Sequence, residues 1–224
     1  MKIVRAALIA AVMAATAGYE VRAQNQPAVT YIEVMPSAAA DAAGLLRQLA
    51  AASRKETGNL RYEVLQQIGR AGHFAILETW SDAKAFDAHV AGSAMKDLRG
   101  HLGPLRVAFY DERPNTGIDA GAAGSPASDA IYVVTHVDVP GQFKDEAIVL
   151  MKKLAADSRR EAGSERFDAW QQANRPNHST VVEVWKDQAA LDAHSVAPTT
   201  REFREKLGPM MGALYDDRRY KNLE

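Results

Sequence analysis

Apolar and polar positions along this chain fall into short strand-like and helix-like stretches that occur in the same order twice. Val29-Thr30-Tyr31-Ile32-Glu33-Val34 is rich in β-branched and aromatic residues, partly alternates, and stops at Pro36, which reads as a strand. Ala42, Leu45, Leu46, Leu49 and Ala52 then recur at three- and four-residue steps, the stripe of an amphipathic helix. Gly58, with basic residues just before it, suggests a left-handed helix C-cap. Two strands are expected over residues 61–67 and 74–80, joined by the turn-prone Ile68-Gly69-Arg70-Ala71-Gly72. A second helix should start at Asp82, a suitable N-cap, and carry Ala85, Phe86 and His89. Gly103-Pro104 breaks the chain before a last strand expected to end at Tyr110.

The same succession returns 105 residues later, with Trp80 falling on Trp185 and His89 on His194. Without a gap, Ser53-Arg54 falls on Ser158-Arg159, Gly58 on Gly163 and Arg61 on Arg166. Gln66-Gln67 matches Gln171-Gln172, and Leu102-Gly103-Pro104 matches Leu207-Gly208-Pro209. The second copy runs from Ile131 to Val139, through a stripe of Ala147, Leu150, Met151, Leu154 and Ala155, to a last strand ending at Tyr215. A register of this length is a duplicated domain of about 100 residues, longer than the unit of a solenoid.

The order is β-α-β-β-α-β twice, an α+β class of two tandem ferredoxin-like repeats. Each unit makes one antiparallel sheet with both helices on one face. The bare faces need cover, and packing them on each other within one chain supplies it. Ile32, Val34, Val137 and Val139 should face the helices, while Tyr31, Glu33, His136 and Asp138 look the other way. Domain bounds follow: repeat 1 over 27–113, a linker rich in Gly, Ala, Ser and Pro over 114–128, and repeat 2 over 129–224.

The first 23 residues fall outside this pattern. Lys2 and Arg5 precede an apolar run from Ala6 to Ala17, and Val21-Arg22-Ala23 has small residues where a signal peptidase cuts, so they read as a secretory signal peptide. The run is too short for a bilayer, which needs about 20 residues. A secreted or periplasmic location is expected, with no membrane contact after cleavage. The cut removes Lys2, Arg5, Arg22 and Glu20, leaving 24 basic and 27 acidic residues, a net charge of −3. With no basic run either, nucleic-acid binding is excluded. The chain has no Cys, which rules out disulfides, thiolate metal sites and Cys nucleophiles.

With Ser53-Arg54-Lys55-Glu56-Thr57-Gly58-Asn59-Leu60-Arg61-Tyr62, Glu78-Thr79-Trp80 and Asp87-Ala88-His89 in view, the chain resembles the antibiotic biosynthesis monooxygenase family, and in it the quinol-monooxygenase-like branch. The second copy offers Ser158 to Gly163, Arg166-Phe167, Glu183-Val184-Trp185 and Asp192-Ala193-His194. The resemblance implies a dimeric α+β barrel, here made from two repeats of one chain, with a further homo-oligomer left open. It implies oxidation of quinols or related phenols by O₂ without metal or flavin. Other members bind or degrade haem, and still others have no assigned activity.

His89 and His194 are the candidate catalytic residues, because an imidazole can take a phenolic proton and leave an electron-rich anion that reduces O₂. The competing reading has each His packing or capping its own helix. Trp80 and Trp185 could stack on a flat ligand or serve as core. Glu78 and Glu183 share a strand face with them and are expected to pair with Arg61 and Arg166 or to act as bases. Tyr62, Phe167, Gln66 and Gln171 are candidates to line the same space. Haem is disfavoured: downstream of His89 stand Arg99 and His101, but in the second copy Arg204 and Lys206. Metal-ligand pairs, nucleophile elbows and phosphate loops are absent from the sequence, so no cofactor is expected. The function expected is a cofactor-independent monooxygenase whose partners are a small aromatic substrate and O₂. The alternative is a non-catalytic periplasmic or stress-related module that binds an aromatic ligand.

Overall fold

A computed structural model describes residues 25–121, 126–214 and 216–223. The signal-peptide segment lies outside them, as does Tyr215. Repeat 1 contains β1 (Gln26–Glu33), α1 (Ala39–Ser53), β2 (Asn59–Gln67), β3 (His73–Trp80), α2 (Ala83–Ala91), α3 (Ser93–Leu102) and β4 (Asp111–Asp119). Repeat 2 contains β5 (Ile131–Asp138), α4 (Lys144–Ser158), β6 (Ser164–Gln172), β7 (His178–Trp185), α5 (Gln188–Ser195), α6 (Pro198–Leu207) and β8 (Asp216–Asn222).

Local chemistry accounts for most boundaries. The Asp82 carboxylate accepts from the Ala85 amide at 2.8 Å and starts α2; Asp187 does the same for Ala190 and α5. The second helix expected in each repeat is two helices. Extended backbone at Gly92 (ψ 161°) divides α2 from α3, and Ala197 followed by Pro198 divides α5 from α6. Gly58 is left-handed (φ +87°), as is Gly163 (φ +82°), but α1 and α4 already end at Ser53 and Ser158. These glycines therefore sit in the turns into β2 and β6 rather than at the helix caps. A Cβ on either would stand 2.6 Å from the Cβ of Ala85 or Ala190, so the turn packs directly on the next helix.

The eight strands close in the order β1-β3-β2-β8-β5-β7-β6-β4, which leaves no sheet edge. Closure is the work of β4 and β8. Asp111–Pro114 of β4 pairs with β1 of its own repeat, and Asn115–Asp119 pairs with β6 of the other. Likewise β8 joins its own β5 to β2. Residues 114–119, expected as linker, are thus strand. The last strand of repeat 1 begins after Tyr110 instead of ending there, and β8 begins at Asp216 rather than ending at Tyr215. Before Tyr110 the chain is not a strand: Gly103–Leu105 is a 3-10 turn and Phe109 is 91% exposed. The polar sequence of β4 takes its state from partners on both sides.

Ile32 and Val34 pack with α1 and α3, and Val137 and Val139 with α4 and α6, as expected from their alternation. Tyr31, Leu65, Tyr132, Trp170 and Tyr220 fill the barrel interior. His136 meets Tyr31 edge-on there, ring centroids 5.2 Å apart. A cross-repeat ion pair lies toward the opposite end. Arg166 donates two hydrogen bonds to Glu63 at 3.1 and 2.8 Å, and Tyr132 donates to the same carboxylate at 3.0 Å. These side chains pack where the bare faces of the two sheets meet.

Candidate site on the helix side of each sheet

His89 reaches down from α2 onto the end of β3. Its ring stacks on Trp80 at 4.6 Å and 26°, meets Tyr62 edge-on at 5.4 Å, and is 1% exposed. Nδ1 stands 3.1 Å from both oxygens of Glu56. A carboxylate only accepts, so Nδ1 carries the proton and Nε2 holds a lone pair. Nε2 is 3.5 Å from Glu78, whose carboxylate takes the Trp80 indole N–H at 2.7 Å, and it makes no hydrogen bond. Burial pushes the Glu78 carboxyl up to about 7 and lowers His89, against the pull of Glu56. At neutral pH the pair thus holds a neutral imidazole beside a carboxyl close to its midpoint.

Repeat 2 builds the same frame. His194 stacks on Trp185 at 4.4 Å and 26°, and Nδ1 stands 3.0 Å from Glu161. The Trp185 N–H donates to Glu183 at 2.8 Å, and burial carries that carboxyl to about 7 as well. Two substitutions change its chemistry. Phe167 replaces Tyr62. Thr200 stands where repeat 1 has Met95, with its hydroxyl 3.4 Å from Nε2 and 3.3 Å from Nδ1 of His194. The Nε2 left bare in repeat 1 is occupied in repeat 2. The Tyr62 hydroxyl, buried near Ser53, likewise makes no hydrogen bond.

Several expectations need correction. Glu78 does not pair with Arg61, nor Glu183 with Arg166. Glu78 lies opposite Tyr62 in the ladder while Arg61 lies opposite Thr79, so the two side chains leave opposite faces of the sheet. Arg61 instead approaches Asp168 across the barrel, at 3.8 Å. Gln66 and Gln171 are far from the cluster. Each donates to a hairpin carbonyl, that of Ala71 at 2.7 Å or Pro176 at 2.6 Å, and holds its turn. Trp80 and Trp185 are wholly buried and stack on histidine. Glu56 and Glu161 received no role from the sequence although both stand in the repeated signature. Their recurrence at the 105-residue offset was the available signal. Arg54 and Arg159 also recur, each donating twice to the carbonyl of residue 62 or 167 at 2.9 and 2.6 Å and so fixing the strand under the site. Among the described residues no three metal-ligating side chains come together.

The sequence model of the family described as antibiotic biosynthesis monooxygenase matches residues 28–100 and 130–206, one match per repeat. The chain belongs to this family. The chain is 31% identical over 98 residues to "Uncharacterized protein sll1783" of Synechocystis, which covers 44% of this chain and 67% of that protein. It is 32% identical over 86 residues to "Putative monooxygenase YcnE" of Bacillus subtilis, covering 38% of this chain and 90% of that one. A crystal structure from Fusobacterium nucleatum titled "Putative monooxygenase (FN1347)" has the same fold (TM-score 0.81, 17% identity, 90% of this chain and 94% of that one). So does one titled "anthrone oxidase-like protein" (TM-score 0.70, 14% identity, 90% and 92%). This antibiotic biosynthesis monooxygenase family member thus carries two family domains in one chain, paired in one closed barrel.

Proposed function

We propose that the protein is a monooxygenase that oxidises a quinol or related phenol with O₂, with repeat 1 as the reacting copy. One observation carries the reading: His89 is oriented through Nδ1 by Glu56, while its Nε2, 3.5 Å from Glu78, makes no hydrogen bond and neither does the nearby Tyr62 hydroxyl. That is the arrangement of a base held by an orienting carboxylate. Nε2 takes the phenolic proton, and the phenolate gives electrons to O₂. One oxygen atom enters the ring and the other leaves as water, the substrate supplying all four electrons, so a quinol and O₂ yield a hydroxyquinone and water. The N-terminal apolar segment supports export of the chain before it works.

A second reading, binding of an aromatic molecule without turnover, is favoured by the 1% exposure of His89 and by the likeness of the two His–Trp–Glu frames. Oxygen uptake with a panel of hydroquinones separates the two. Turnover that survives in the wild type and falls at least about 100-fold in His89→Ala supports the base assignment. Tight binding with no O₂ consumption supports the second reading, and turnover indifferent to His89→Ala rejects the base.

A further inference from the structure

The same groove exists on both repeats, and only one of them is open. In repeat 1 it runs between α1 and α3 with a volume of about 330 Å³, floored by Leu45, Leu49 and Leu98. In repeat 2 it lies between α4 and α6 over Leu150, Leu154 and Phe203, and holds about 10 Å³. The first volume is that of a small-molecule site; the second has room for about one water. Residue by residue the difference has a cause. Gln48 becomes Lys153, Ala52 becomes Asp157, Ala94 becomes Thr199 and Asp97 becomes Glu202. Lys153 spans the cleft, donating to Asp157 at 3.0 Å on its own helix and to Glu202 at 3.1 Å on the facing one. Lys206 fastens Glu202 again at 2.7 Å.

We infer that the α1–α3 groove of repeat 1 binds a small hydroxylated aromatic molecule, one per chain, and that Lys153 with Glu202 and Asp157 keeps repeat 2 shut. The floor is apolar and the small Ala52 and Ala94 leave space for a ring. The rim is polar, with Gln48, Asp97 and His101. His101 sets the polarity of the ligand. Its Nδ1 lies 2.8 Å from the Asp97 carbonyl, which only accepts, so in the neutral ring Nδ1 holds the proton and Nε2 is an acceptor. An acceptor at the mouth of an apolar groove suits a ligand that donates an O–H. In repeat 2 the position is Lys206, which has donors only. Leu49 and Leu98, on the groove floor, belong to the same packed cluster as Trp80 and Tyr62, so the groove and the proposed reaction site share one helix-side core. This inference takes its ligand class from the proposed function but is tested without turnover.

The test is calorimetric titration with 2-naphthol under nitrogen. Wild type should bind one equivalent per chain. Gln48→Lys with Ala52→Asp and Asp97→Glu, which carries the Lys153–Asp157–Glu202 bridge onto repeat 1, should abolish binding with the melting temperature retained. Lys153→Ala with Asp157→Ala should raise the stoichiometry to two. His101→Phe should weaken 2-naphthol about 10-fold and leave naphthalene unchanged, as loss of one net hydrogen bond requires. No binding by wild type, two equivalents in wild type, or a closed-groove variant that still binds would each overturn the inference. Normal binding with no oxygen uptake would instead remove only the monooxygenase reading.

Discussion

Repeat 1 and repeat 2 keep the same buried His–Trp–Glu frame to within 0.2 Å in their ring stacking, yet diverge at the residues around it. Tyr62 against Phe167, Met95 against Thr200 and Ala52 against Asp157 all lie on the helix side of the sheets. Each change removes a polar opportunity or closes space in repeat 2. The frame itself is retained because it joins helix to strand, with a carboxylate from the α1–β2 turn, an imidazole from α2 and an indole from β3 locked in one contact set. What differs between the copies is therefore the better guide to function, and what they share the better guide to fold.

The sharpest way to break this comparison is inside the barrel, where the repeats meet. Glu63→Ala should cost about 3–5 kcal/mol in urea unfolding, because Arg166 would remain buried without its bidentate partner. Its counterpart Asp168→Ala should cost less, since Asp168 has no bidentate pair: Arg61 stands 3.8 Å and Arg166 3.6 Å away, and its one formed hydrogen bond is from the Gly121 amide. Equal costs would show that the interior is symmetric after all. Next in size is activity: His89→Ala should lose at least about 100-fold in kcat and His194→Ala less than threefold. Parity between them would make both copies reactive.

A smaller effect concerns pH, and here the repeats should agree. The Glu78 and Glu183 carboxyls are raised from their ordinary 4.5 to about 7 in the fold. A carboxyl raised on folding binds its proton more tightly in the native state. Its stabilising contribution is full below about 4.5 and is lost as pH climbs through about 7. Glu78→Gln and Glu183→Gln should each be near neutral at pH 5 and stabilising by about 1–3 kcal/mol at pH 8, measured by urea midpoints. Smallest of all, Tyr62→Phe should lower kcat a few-fold by removing a hydroxyl that repeat 1 has and repeat 2, with Phe167, lacks.

Much of the fold could be read from the chain because the duplication doubles every signal. The helix stripe of Leu46 and Leu49, the Asp82 and Asp187 caps and the inward-facing Tyr31 and His136 all follow from spacing. The path of β4 could not be read. Asp111-Glu112-Arg113-Pro114-Asn115 has no strand pattern of its own, and half of its partners come from a repeat that follows it in sequence. Within the site, His89 was visible as a repeated residue, whereas Glu56 pairs with it across 33 positions through a turn that only the fold closes. The Arg61–Glu78 expectation failed on a single residue of register, which sends the two to opposite faces. Groove closure by Lys153 was hidden for a similar reason, since its partner Glu202 sits 49 residues away.

The account stands on functional asymmetry within a symmetric frame, and crystals grown or soaked with 2-naphthol test it most directly. The prediction is electron density for one ligand, lying on Leu49 and Leu98 with its hydroxyl toward His101, and none between α4 and α6. Density in both grooves, or in neither, would contradict it.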